Sequence, residues 1–229
     1  MDFQAIAYAL SVWTIPVLIA VTLHEAAHGW AAWKLGDDTA KQLGRVTFNP
    51  IKHIHPMGTV ILPAGLLLLS GGKMMFGFAK PVPVNFQRLN HPRRDMVLVA
   101  AAGPGMNVLI ALAGALSIHL IGNLPDDIRD WVGANLGALI WLNCLLAVFN
   151  MLPIPPLDGG RVAVGLLPLK PAMALARLER VGIFIVLGGL LVLPMLGQQV
   201  GVDLNVFQWL VLAPADGLRE VIGHLAGIY

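Results

Sequence analysis

Charge is what this sequence has least of. Asp, Glu, Lys and Arg together supply only 12% of its 229 residues, about half the roughly 25% usual in globular domains. Hydrophobic side chains make up 57% and the mean hydropathy is +0.74, so too little polar surface is left to cover a water-soluble core. That shortage excludes a soluble enzyme and a disordered tail. The single cysteine, Cys144, has no internal partner, which excludes a disulfide scaffold. A formal charge of +2 is too small for a nucleic-acid footprint, and no nucleic-acid partner is expected. What remains is an all-α polytopic membrane protein, read as a single membrane domain over 1–229 with no room for a sizeable accessory domain.

What is there sorts into apolar runs. Residues 5–23 form an uncharged stretch of about 19 residues, enough to cross a hydrocarbon layer of ~30 Å. It has no basic leader and no small-residue cleavage site, so it reads as a retained helix that continues to about residue 33. Further spans are expected over about 95–122, 131–152 and 181–197. Met57 to Ser70 is apolar but short, nearer a re-entrant piece than a crossing. Val202 to Leu212 is shorter still and reads as interfacial. Gly44 to Phe48 and Pro81 to Phe86 have strand-like character broken by prolines, so a small surface sheet is expected within about 43–88. The expected architecture is therefore about 4–6 transmembrane or re-entrant helices with a small β-structured insertion at the membrane surface.

The basic residues set the orientation. Lys34, Lys41, Arg45 and Lys52 follow the first span, while Lys73, Lys80, Arg88, Arg93 and Arg94 precede the second. Arg161, Lys170, Arg177 and Arg180 follow the third, whereas the loop between the second and third spans carries Arg129 against Asp126, Asp127 and Asp130. The positive-inside rule places those three basic regions in the cytoplasm and the N-terminus outside.

Against this background, the first helix ends Leu23-His24-Glu25-Ala26-Ala27-His28-Gly29. A charge buried in a membrane helix costs about 2.5–3.5 kcal/mol even on the mildest scale. The two histidines stand at i and i+4 on one face, where both imidazoles can reach one tetrahedral Zn²⁺ while the glutamate between them serves as acid and base. The bland alternative is a pair of helix-end histidines with Glu25 reaching out to water. No other charged residue lies on that helix from Phe3 onward to Glu25, which disfavours the bland reading.

A hydrolytic zinc site usually takes three protein ligands. The third span ends Asn150-Met151-Leu152-Pro153-Ile154-Pro155-Pro156-Leu157-Asp158-Gly159-Gly160. Its prolines break the helix and its glycines permit a tight turn that can aim a carboxylate back into the bundle. Asp158 is the candidate third ligand, on the same membrane side as His24 and His28. His53, His55, His91, His119 and His224 offer no comparable constellation. The glycines of the second and third spans read as helix-packing positions.

The chain resembles the site-2 proteases, the intramembrane zinc metalloproteases of peptidase family M50, in the compact branch without PDZ or CBS domains. The resemblance rests on His24-Glu25-Ala26-Ala27-His28, on Ala102-Gly103-Pro104-Gly105-Met106-Asn107, and on Asn150 through Gly160. It extends to Gly44 through Pro56, with His55 where aspartate is more usual, and to Ala79 through Val84. It implies one Zn²⁺ per chain on His24, His28 and Asp158, with Glu25 as the catalytic acid and base. It implies that Asn150 helps to hold the scissile peptide or its oxyanion, and it points to Asn107 as a substrate-site residue. The implied substrate is a transmembrane protein, cut in or near its membrane segment in the manner of regulated intramembrane proteolysis. Such a segment must unwind before its carbonyls are accessible, and Val82 and Val84 on the expected sheet edge are candidates to receive it.

The expected setting is the bilayer of a prokaryotic cell membrane, with the active site towards the cytoplasm and room for a second copy or a regulatory membrane partner. The rival reading is a metal-ion or proton-coupled transporter using the same His, Glu and Asp cluster. A transporter should show paired sites or inverted repeats, and the sequence shows a single site.

Overall fold

The computed structural model describes residues 3–61, 65 and 79–229. Helix α1 spans Phe3–Lys34 with Pro16 inside it. After a short helix α2 (Thr39–Gln42) and an irregular segment come α3 (Pro92–Ser117) and α4 (Asp126–Asn150). These three long helices are the ones, among the described residues, long and apolar enough to cross a membrane. The chain is an integral membrane protein.

Helix α3 is the hub. It lies against α1, against α4, against α5 (Asp158–Leu166) and against the last helix, α9 (Ala213–Ala226). Small residues permit this, because without a hydrophobic drive between helices in lipid, close backbone approach supplies the attraction. Ala111 and Ala115 of α3 are buried with Ile140 and Cys144 of α4 and with Ile222 and Ala226 of α9. Nearer the other end, Ala31 and Ala32 of α1 are buried with Leu89 and Val99. The site described below lies between these two clusters.

Two expectations are corrected. The run over 181–197 is not among the candidate membrane spans of the described residues. It is helical without a break over 182–200, as α7 (Gly182–Leu187), a π-helical turn over Gly188–Val192 and α8 (Leu193–Val200). The count of about 4–6 spanning or re-entrant helices therefore falls to three among the described residues. Helix α6 (Leu169–Ala176) is only eight residues long. The expected re-entrant piece at 57–70 lies mostly outside the described residues; Pro56–Ile61 is a π-helical turn. The C-terminal helix α9 went unforeseen, and the stretch read as interfacial, 202–212, ends in a π-helical turn over Gln208–Leu212 that leads into it.

The second correction is the sheet. Among the described residues there is no strand. The segment 79–85 is extended but its donors go elsewhere. Pro81 and Pro83 have none. Lys80 N–H donates to the His53 carbonyl (2.9 Å), Val82 N–H to Glu25 Oε2 (2.7 Å) and Asn85 N–H to Asp37 Oδ2 (2.6 Å). Arg45 Nη2 holds the Lys80 carbonyl from outside (2.8 Å). The segment is a strap tied across the C-terminal end of α1 by side chains and one backbone carbonyl, with no ladder.

Asp37 is the main tie. It is fully buried and also accepts from the Thr39 hydroxyl and amide. Burial pushes its carboxyl upward, but the Thr39 hydroxyl, the amides of Asn85 and Thr39 and the nearby Arg88 outweigh that and hold it below the ordinary value. A carboxyl lowered in the folded state contributes stability that is complete above its unfolded value, about 3.9. That contribution is lost as pH falls through the folded value. Protection of the Asn85 amide against hydrogen exchange, relative to its intrinsic rate at each pH, will therefore fall in acid, below about pH 4. In Asp37→Ala the amide will be unprotected at every pH, at a cost of about 1–3 kcal/mol for the orphaned donor. Protection that does not change across that range would remove Asp37 from this role.

Candidate metal centre

The site starts from the periodicity of two helices. On α1, His24 and His28 are one turn apart and both buried. On α3, Val99, Gly103 and Asn107 recur every four residues, so one stripe faces the two imidazoles. The Val99 carbonyl accepts from His28 Nδ1 (2.7 Å), and Asn107 Oδ1 meets His24 Nδ1 (2.6 Å). Each imidazole is thus tied through Nδ1 and offers Nε2 inward.

Asp158 enters from a third direction, as the first residue of α5. The turn before it is tight. A Cβ on Gly159 would fall 2.1 Å from the Met151 carbonyl oxygen, and one on Gly160 would fall 2.2 Å from the Pro155 nitrogen. Those two glycines let the helix start fold back on the proline loop, which brings the carboxylate under α1.

His24 Nε2 and His28 Nε2 are 3.0 Å apart, and Asp158 Oδ2 stands 3.3 Å from each. Ligand atoms about 2.0–2.1 Å from a tetrahedral zinc are separated by about 3.3–3.4 Å, so the triangle has the size of one face of such a tetrahedron. The donor chemistry agrees. With both Nδ1 atoms carrying the hydrogen, each Nε2 presents a lone pair, and Asp158 Oδ2 is buried without a hydrogen-bond partner. Three lone-pair atoms converging out of water are unfavourable unless a cation sits among them.

The space for that cation is also provided. A Cβ on Gly103 would lie 2.3 Å from His28 Nε2 and 2.6 Å from His24 Cε1. Glycine at 103 therefore keeps α3 off the coordinating edge of the imidazoles. Among the described residues, His24, His28 and Asp158 are the group able to hold a metal ion.

Glu25 stands next to His28 around α1, and the Val82 amide holds one of its carboxylate oxygens. Val82 is itself buried, in line with a Cβ on Gly29 that would meet its Cγ1 at 3.1 Å. Val84 packs against the Ala31, Ala32, Leu89 and Val99 cluster. Asn150, at the end of α4, donates its side-chain amide to the Leu146 carbonyl one turn back (3.0 Å), so the hydrogen bond described for it goes to its own helix. Asn107 is fully buried and spans between His24 and Asn143 of α4.

Val99 and Asn143 were missed by sequence reasoning. A backbone carbonyl leaves no trace in residue type, but Asn143 is a polar side chain in an apolar span and could have been singled out. His53, given no role from the sequence, is almost fully buried and donates to the Thr47 carbonyl (3.0 Å). His119 donates to the Ala226 carbonyl (2.7 Å), tying the end of α3 to that of α9.

Comparison with known proteins gives the family. The sequence profile of peptidase family M50 matches residues 117–193, the stretch that carries Asn150 and Asp158. YwhC of Bacillus subtilis, assigned by name to the zinc metalloproteases, is 40% identical over 185 residues, or 79% of this chain and 80% of YwhC. The chain belongs to peptidase family M50. Other relatives include Rip2 of Mycolicibacterium smegmatis, 32% identical over 181 residues, covering 79% of this chain and 66% of Rip2. MJ0611 of Methanocaldococcus jannaschii is 37% identical over 100 residues, 43% of this chain and half of its own length. Both carry zinc metalloprotease names. No solved structure matches the chain. This M50 member is a zinc metallopeptidase of the membrane, and the transporter reading is not favoured.

Proposed function

We propose that the M50 protease hydrolyses a peptide bond in or near the transmembrane segment of another membrane protein, as a step of regulated intramembrane proteolysis, at a site close to the cytoplasmic face. The observation that carries this reading is the buried triangle of His24 and His28, on a helix of membrane length, with Asp158 at the start of α5, and Glu25 beside it. His28 lies six residues before the end of α1, about 9 Å along the axis, so the site is sunk below the surface but within reach of it. The basic residues that follow α1 and precede α3 favour the cytoplasm for that end.

His24, His28 and Asp158 would hold a zinc ion, which when bound would acidify water to a pKa of about 7 and polarise the scissile carbonyl. Glu25 takes the proton of the attacking water and returns it to the leaving amine. The Val82 amide aims one oxygen of Glu25 and leaves the other for the proton. An intact helix shields its carbonyls, so the substrate unwinds locally before it is cut. We assign the 79–85 strap, including Val82 and Val84, to the wall along which the unwound segment lies, and Asn150 to the peptide or its oxyanion after its amide releases Leu146. Selection of the substrate rests on the membrane domain, a prior cut by another protease or a partner, which could be a second copy.

The test is cleavage in proteoliposomes of two substrates that share a sequence, one anchored through a membrane segment and one soluble, with mass spectrometry of the products. The proposal expects a zinc-dependent cut in or beside the membrane segment. Preferential cleavage of the soluble peptide would contradict it.

A further inference from the structure

We propose that Asn143 is a positioning residue that fixes which nitrogen of His24 carries its hydrogen, acting through Asn107; this rests on His24 being a zinc ligand. The observation is an unbroken buried chain. Asn143 Nδ2 donates to the Leu139 carbonyl (2.8 Å), Asn107 Nδ2 donates to Asn143 Oδ1 (2.7 Å), and Asn107 Oδ1 meets His24 Nδ1 (2.6 Å). Asn107 and Asn143 are both fully buried, so no water substitutes for either partner.

The oxygen and nitrogen of a side-chain amide are nearly equal in shape, so direction must be imposed by chemistry. The far end imposes it. A backbone carbonyl can only accept, so Asn143 turns its NH₂ to Leu139 and its oxygen to Asn107. Asn107 must then turn its NH₂ to Asn143 and its oxygen to His24. An oxygen facing Nδ1 requires the hydrogen there, and Nε2 is left as the bare donor that a metal needs. Flipping either amide would set donor against donor or acceptor against acceptor.

His28 reaches the same tautomer by a shorter route, because the Val99 carbonyl meets its Nδ1 directly. The two ligands therefore differ in one testable respect: the setting of His24 depends on two amides on two helices, and that of His28 on none. Partners of this kind commonly change metal affinity by about 10- to 100-fold when removed.

The experiment uses the full chain with ¹⁵N-labelled histidine, read by NMR in the metal-free state and followed by zinc titration against a competing chelator. In Asn143→Leu, of similar volume, Asn107 loses the partner that directs it. His24 is expected to populate the Nε2–H tautomer while His28 keeps Nδ1–H, and zinc affinity is expected to fall by about 10- to 100-fold. In Asn143→Asp a carboxyl oxygen still accepts from Asn107, so the His24 tautomer should stay as in the parent. That variant serves even if Asn143→Leu does not fold.

An unchanged His24 in Asn143→Leu, equal shifts of both histidines, or loss of the tautomer in Asn143→Asp would each overturn the proposal. Because the tautomer is read without metal, its failure leaves the zinc-site reading standing. Failure of that reading would show instead as no zinc uptake by the parent protein.

Discussion

Glu25→Gln will keep zinc bound and abolish peptide hydrolysis. Glu25 contributes none of the three converging donor atoms, which belong to His24, His28 and Asp158. Its removal as a base therefore leaves the metal triangle intact. Glutamine has the same length, and its carbonyl oxygen can still accept from the Val82 amide that Glu25 Oε2 now engages. What it cannot do is take a proton from water and return it to the amine. General acid–base groups contribute about 10²–10⁴-fold, so the fall in kcat should be at least about 10²-fold with the zinc content unchanged. Cleavage within a few-fold of the parent would remove Glu25 from its role. Loss of zinc in the variant would make it a ligand.

Gly103→Ala is the second large effect, and it comes from one methyl group. The added carbon would lie 2.3 Å from His28 Nε2 and 2.6 Å from His24 Cε1, well inside van der Waals contact. The rings cannot retreat freely, because the Val99 carbonyl and Asn107 hold their opposite nitrogens. Either α3 moves away, taking those supports with it, or the rings turn and the ligand spacing is lost. Zinc retained after dialysis should drop well below one per chain, and cleavage should fall by about 10²-fold or more, since the loss of a metal ligand's geometry removes both binding and activation. A comparable Ala substitution at Gly137, where a Cβ would meet nothing within 4 Å, should leave both unchanged. Normal zinc and activity in Gly103→Ala would show that the two helices are not packed as described.

The three converging donors were legible in the sequence because charge is so scarce there. An i, i+4 histidine pair around a glutamate on an otherwise uncharged helix has few bland explanations, and Asp158 follows a proline-broken helix end on the same side. The helices of α1, α3 and α4 were legible from length and hydropathy alone. The supports were not. Val99 acts through its carbonyl, which no residue type reveals, and Gly103 reads as a generic packing glycine until the imidazoles are placed against it. The sheet failed for a local reason: alternating prolines at 81 and 83 suggest an edge strand, but Glu25 and Asp37 take the amides of Val82 and Asn85. The last helix was missed because Asp216, Arg219, Glu220 and His224 dilute its apolar face, which is completed only by packing against α3 and α4.

The most direct test of the account is the zinc content of the purified full chain beside that of Asp158→Ala. The geometry predicts one zinc per chain in the parent and a strong loss in the variant, because two imidazoles alone cannot replace a three-donor site. Full zinc occupancy in Asp158→Ala would contradict the third ligand, and a parent protein that binds no zinc would contradict the account as a whole.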